Sequence, residues 1–170
     1  MDFYDVLKNR HSIRAFLEKP VESKKIALII DAAMRGPSAG GLQAYKIYVV
    51  RTERAKEELI IATEGQEYVK APLVLVFTAD ITRSGAKYQE RGEELFSYQD
   101  ATIAAAYTQL AATAEGLGSV WIGTFEPLEV ARIVNAQAYE VPIAIIAIGY
   151  PNETPEVHPK RQMKDIVREV

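Results

Sequence analysis

Leu73-Val-Leu-Val-Phe-Thr78 is apolar up to its last residue, without the alternation of a half-exposed strand. A short β-branched run of this kind predicts a strand buried on both faces. Ile143 to Ile148 (IAIIAI) reads the same way, and Tyr45 to Arg51 (YKIYVVR) and Ser119 to Ile122 add two further strands. Strands covered on both sides need helices on both sides. The sequence supplies them at Asp2 onward, Ser23 to Ala33, about Arg54 to Ala62, about Tyr98 to Glu115, Leu128 to Val134 and near Met163. Interleaved helices and doubly buried strands define an α/β or α+β layered fold.

The helix at 98–115 is the longest. Ala occurs seven times between Ala101 and Ala114, and Ile103, Tyr107, Leu110, Ala111 and Ala114 share one face. Small residues admit close backbone approach, so this helix is expected in the middle of the fold. Ser97 with Asp100 resembles a capping box at its start. Thr82 to Glu94 (TRSGAKYQERGEE) is the least apolar stretch and reads as a mobile surface segment over a substrate pocket or simply a solvated loop.

The chain has 170 residues, 48% of them hydrophobic and 25% charged, with no repeat and no linker. One domain spanning 1–170 is expected, large enough for a real core. Zero Cys and two His exclude disulfides, thiolate zinc sites and a cysteine nucleophile. Cysteine-free composition fits a cytoplasmic chain. A net charge of −3 gives no drive toward nucleic acid. The longest apolar stretch, Val141 to Gly149, is too short to cross a membrane. Redox chemistry here would have to come from a bound cofactor.

Three segments carry candidate chemistry. Arg10-His-Ser-Ile-Arg14 gathers two guanidiniums, an imidazole and a hydroxyl after a short helix. In extended chain Arg10, Ser12 and Arg14 fall on one side, a cradle for phosphate or else a solvated basic loop. Gly36-Pro-Ser-Ala-Gly-Gly-Leu-Gln43 can expose backbone groups to a flat ligand, or be an ordinary helix-to-strand loop. His158-Pro-Lys-Arg161 is either an anion clasp or a basic tail. The pair Gly116 and Gly118 lacks the third glycine and the strand-to-helix order of a dinucleotide fingerprint, so it reads as a helix stop.

In this order the segments resemble the nitroreductase family of FMN-dependent oxidoreductases. The likeness runs from NRHSIRAF through GPSAGGLQAYKIYVV and GLGSVWIGTF to IAIIAIGYP and the HPKRQMKDIV tail. The resemblance implies an α+β fold, a mainly antiparallel central sheet flanked by helices, in an intertwined homodimer with FMN at the subunit interface. It implies that Arg10, His11, Ser12 and Arg14 hold the FMN phosphate and ring edge, Arg14 facing the pyrimidine edge. Pro37, Ser38, Ala39 and Gly40 would come from the other subunit, with Gln43 nearby. Ile122, Gly123 and Thr124 would line the flavin, and Lys160 and Arg161 would meet the phosphate. Activity would be ping-pong hydride transfer from NADH or NADPH through FMN to a nitroaromatic, quinone or similar small aromatic acceptor. Tyr88, Phe96 and Tyr98 could stack on such an acceptor or pack in the core. Gly41 replaces the Asn common in the family's loop, and Ala44-Tyr45 replaces Pro-Trp. The PSAGGL form is also similar to flavin dehydrogenases that oxidise azoline rings, and a dehalogenase or a non-catalytic flavin-binding module stays open beside the reductase.

Overall fold

A computed structural model describes residues 1–170. Ten regular elements follow in chain order: α1 (Phe3–Asn9), α2 (Ser23–Met34), β1 (Tyr45–Val50), α3 (Glu53–Ala62), β2 (Leu73–Asp80), α4 (Ile81–Arg91), α5 (Ser97–Ala114), β3 (Gly118–Ile122), α6 (Pro127–Val134) and β4 (Glu140–Gly149). The strands form one sheet in the order β1-β2-β4-β3, and every neighbouring pair is antiparallel. The fold is therefore α+β, as the resemblance implies, and the all-antiparallel pairing decides between the α/β and α+β readings that the patterning left open.

Every residue from Leu73 to Ala79 is buried, and alternate side chains enter opposite cores. Leu73, Leu75 and Phe77 join Ile146 and Ile148 beneath Ile29 and Ala33 of α2 and Ala104, Ala105 and Ala112 of α5. Val74 and Val76 join Ile145, Val120 and Ile122 beneath Leu59 of α3 and Val130 of α6. β4 begins three residues earlier than Ile143 because Pro142 is accommodated at a register shift opposite Phe77 and Thr78. At its first residue, the buried Glu140 carboxylate accepts from the Tyr48 hydroxyl and from the Gln137 N–H at 2.8 Å. Burial, and then the Glu140 carboxylate, push the Tyr48 phenol above its ordinary value.

Three local expectations are corrected. Residues 82–94 form no surface loop: they are helix α4 followed by a wide π turn, Gly92–Phe96. Asp80 caps α4, its carboxylate accepting from the Arg83 N–H at 2.9 Å. The chain then bends back at Gln89, whose φ is +52°. Gly92 allows the close return, since a Cβ there would lie 2.4 Å from the Ser84 carbonyl oxygen. No capping box opens α5, because the π turn runs straight into it. The Ser97 hydroxyl donates to the Glu93 carbonyl at 3.0 Å, and Asp100 turns elsewhere. Finally, α5 buries its alanine and threonine side, Ala101, Ala104, Ala105, Thr108 and Ala112, against the sheet. Tyr107 is 38% exposed and Ala114 is exposed, so the helix is covered on one side of this chain and not around its circumference. In α1 likewise, Val6 is buried while Phe3, Tyr4 and Leu7 are exposed. No helix is long and apolar enough to cross a membrane.

Candidate functional site

Residues 10–17 are extended and are fastened to the β3–β4 end of the sheet. The Ile13 N–H donates to the Ser119 carbonyl at 3.0 Å, Leu17 to Tyr150 at 2.9 Å, and Asn152 donates back to Ala15 at 2.9 Å. Ser12 pairs with Ser119 as a short parallel bridge. Ile13 and Phe16 settle over Gly118 and Gly149, which are cross-strand partners. Any larger residue at either glycine would lift the segment. Ile13 is thereby buried, while Arg10, His11 and Ser12 stay half-buried and Arg14 exposed, as alternation demands.

The same fastening brings the two ends of the sequence together. Arg10, His11, Ser12 and Arg14 share a cavity of about 180 Å³ with Glu156, His158 and Lys160. No apolar side chain lines it. Both histidines of the chain lie in its wall. Arg10, Arg14 and Lys160 form no ion pair. The nearest fixed acids are Glu153, which accepts from the Arg14 backbone N–H at 2.5 Å, and Glu156, 3.7 Å from His158 Nε2. Three cations outside any ion pair outnumber the one carboxylate, Glu156, in the lining, which leaves the hollow net positive when both histidines are neutral. Arg161 is not part of it. Its guanidinium donates to the Asp165 carbonyl at 2.5 Å and it lines no wall of this cavity.

The glycine-rich loop lies elsewhere in the chain. Pro37, Ser38 and Ala39 line a cleft of about 580 Å³ with Phe96, Tyr98, Gln99, Asp100, Thr102 and Ile103. Phe96 and Tyr98 thus face the cleft. Tyr88 stacks edge-on against Phe96 at 5.1 Å and reaches over Gly40. Gly40, Gly41 and Gln43 all have positive φ, of 57°, 70° and 49°. Glycine meets that demand without strain at the first two. Gln43 is held there by its N–H to Ser38 Oγ at 3.0 Å and its side-chain amide to the Met34 carbonyl at 2.7 Å. Burial pushes the neighbouring Tyr45 phenol up; the Gln43 amide opposes this shift and the Asp100 charge adds to it.

The third expected group is only partly available. The Ile122 side chain is 1% exposed, inside the core, so it can offer a ligand only backbone atoms. Gly123 and Thr124 are exposed past the end of β3, where Gln66 donates to the Thr124 carbonyl at 3.1 Å. The chain therefore unites residues 10–14 with Lys160 and holds 37–40 at a separate cleft. Sequence reasoning missed Glu156 and Gln66, and took Asp100 for a helix cap. Asp100 is the one charged residue between Ser97 and Ala114, in phase with the buried alanines, and that was a readable signal.

An α+β sheet with a cationic cavity at one end and an aromatic-walled cleft beside its longest helix defines the class. The family model described as the nitroreductase family matches residues 7–70 and 64–150. A Methanothermobacter thermautotrophicus protein provisionally named NADH dehydrogenase/NAD(P)H nitroreductase is 32% identical over 161 residues, covering 91% of this chain and 80% of its own. The NADH dehydrogenase of Thermus thermophilus is 31% identical over 172 residues, covering 85% and 84%. Among solved structures, the NADPH:FMN oxidoreductase from Vibrio harveyi complexed with NAD+ superposes with a TM-score of 0.90 at 26% identity, over 98% of this chain and 76% of that one. The chain belongs to the nitroreductase family of enzymes.

Proposed function

We propose that this chain is an NAD(P)H-dependent flavin oxidoreductase that holds FMN in a homodimer, with ping-pong kinetics. The observation that carries the reading is the convergence of Arg10, Arg14 and Lys160, from opposite ends of the sequence, on one polar cavity. A phosphate monoester fits that donor set, since guanidinium forks match its oxygens. A planar ring fits the cleft walled by Pro37, Phe96, Tyr98 and Ile103. Bound FMN would supply the redox chemistry, hydride transfer between NADH or NADPH and a nitroaromatic, quinone or similar acceptor.

The protein's part is positional and electrostatic. Arg10, Lys160 and the Ser12 hydroxyl hold the phosphate, with His11 in the same wall. Arg14 is the positive group that would stabilise negative charge on the ring system. Gly123 and Thr124 offer backbone at the end of β3. The Pro37–Gly40 loop, the Gln43 beside it, and the cleft they border complete the site from the second subunit. Phe3, Tyr4, Leu7, Leu28, Met34 and Tyr107 are exposed in the single chain and supply apolar surface for that contact. Arg161 is the weakest member of the proposed set, because its fork already faces the Asp165 carbonyl.

An absorbance spectrum of the purified protein with added FMN, followed by anaerobic NADH and NADPH, tests the reading. A flavin band near ~450 nm that bleaches with either donor is expected. Absence of any flavin binding overturns the assignment. A bound flavin untouched by both donors selects the non-catalytic module instead.

A further inference from the structure

We infer that Asp100 is a positioning residue for FMN binding: its two carboxylate oxygens clamp the ends of the 39–44 loop and so fix the surface the loop turns toward the flavin. This rests on the flavin reading above and deepens it. Asp100 sits in the first turn of α5 and is 2% exposed. One oxygen accepts from the Ala39 N–H at 2.8 Å and the other from the Ala44 N–H at 3.1 Å. Both acceptors of a single buried side chain are thereby committed to backbone five residues apart.

The loop needs such a clamp. Between the two clamped amides lie Gly40, Gly41 and Gln43 with positive φ, a sequence of conformations with little intrinsic preference to persist. Its internal bonds, Gly41 N–H to Ser38 at 3.0 Å and Leu42 N–H to Ala39 at 3.1 Å, shape it without attaching it to the body. Three other tethers exist: Gln43 to Met34 and Arg83 to Leu42, both solvent-exposed contacts, and the Asp80 N–H to the Ala44 carbonyl at 2.9 Å, which holds only the β1 end of the loop and leaves Ala39 to Asp100. The Asp100 bond to Ala44 is buried and that to Ala39 is part-buried, and both are more shielded from water, where a carboxylate to N–H contact is stronger, than the exposed tethers. With Ala39 drawn toward α5, the N–H groups of Ser38 and Gly40 on either side of it have no acceptor within the chain. Those are the donors the loop can offer a ligand, and Asp100 decides their placing. Asp100 is 2% exposed and each of its carboxylate oxygens already accepts from the loop backbone, so its effect passes through the loop.

The test compares Asp100→Asn with Thr108→Val. Asn keeps one acceptor but turns an NH2 group against the second backbone N–H. Thr108 is fully buried two turns along the same helix, and its hydroxyl bonds to the Ala104 carbonyl in that helix and makes no hydrogen bond to the loop. It reports what loss of helix stability alone does. The readouts are FMN affinity by titration, the visible circular dichroism of the bound flavin, and hydrogen exchange at the Ala39 and Ala44 amides. Asp100→Asn is expected to weaken FMN binding by about tenfold or more, alter the dichroism and expose both amides to exchange. Thr108→Val is expected to change none of these. Equal affinity in the wild type and Asp100→Asn, or equal loss in both variants, overturns the inference while leaving the flavin reading in place. A wild-type chain that takes up no FMN overturns both.

Discussion

The side chain of Ile13 lies against the α-carbon of Gly118: a Cβ on Gly118 would sit 2.7 Å from Ile13 Cγ1 and 2.8 Å from its Cβ. This contact seats the basic segment on β3. Gly118→Ala must therefore shift the segment or strain the strand, and an overpacking cost of about 1–3 kcal/mol is expected from urea denaturation. FMN affinity should fall with it, because Arg10 and Arg14 ride on either side of Ile13. Unchanged stability in this variant would show that the segment is not seated by this contact.

Removing the two cations assigned to the phosphate, Arg10→Ala with Lys160→Ala, should weaken FMN binding at least about tenfold. Riboflavin, which lacks the phosphate, should be affected much less. The wild-type difference between the two ligands should also shrink as salt is raised, since the cavity opens to solvent. Equal losses for FMN and riboflavin would place the phosphate elsewhere.

The two glycines of the loop should differ. At Gly40 a Cβ would come 2.3 Å from the Tyr88 hydroxyl and 2.7 Å from Lys87 Nζ, whereas at Gly41 nothing lies within 4 Å. Both have positive φ, which asparagine tolerates better than most residues. Gly41→Asn, which restores the residue common in the family's loop, is expected to cost no more than about 1 kcal/mol. Gly40→Asn carries the same backbone term and must also displace Tyr88 and Lys87. Equal melting temperatures for the two variants would contradict the steric account.

The Tyr48–Glu140 contact gives a pH dependence of definite sign. Burial and the Glu140 carboxylate raise the Tyr48 phenol above its unfolded value of 10.0. The native state therefore keeps the proton where the unfolded chain releases it. Stability from this pair is fully present below pH 10 and declines as pH rises beyond it. Thermal unfolding between pH 9 and pH 11 should show that decline. Tyr48→Phe should flatten it, while lowering stability at neutral pH by leaving the buried Glu140 short of a donor.

Much of the fold was legible because its core strands are extreme. The run from Leu73 to Thr78 has no polar alternation to confuse, and Ile143 to Ile148 repeats the pattern, so a doubly covered sheet followed directly. Pro142 hid the start of β4, since a proline ordinarily ends a strand and only a register shift lets it stay. Residues 82–94 misled for a different reason. Their polarity is that of a helix with one narrow buried side, where Ser84 and Gly92 replace the apolar residues that periodicity looks for. At the site, the charged groups at 10–14 and at 160 were visible as composition. Their meeting was not, because it depends on Leu17, Ala15 and Asn152 bonding across the β3–β4 end. Asp100 was seen and misassigned: an acid three residues after a serine reads as a cap until the preceding turn proves continuous with the helix. The role of Arg161 rested on adjacency to Lys160 alone, and neighbours in an irregular tail do not share a direction.

The cationic cavity has one wall from the first residues of the chain and the other from near its end. Such a hollow is absent from any partly completed chain: it closes only after residue 160 has been made and the long intervening polypeptide has folded. Loading of an anion there is therefore a late event, after the sheet and its helices are in place. An anion bound there would tie residues 10–14 to residues 156–160, and by mass action it would oppose separation of the two segments. The ligand would then act as a fastener between these two segments, and its depletion should be felt first as loosening of residues 10–14 and 156–160.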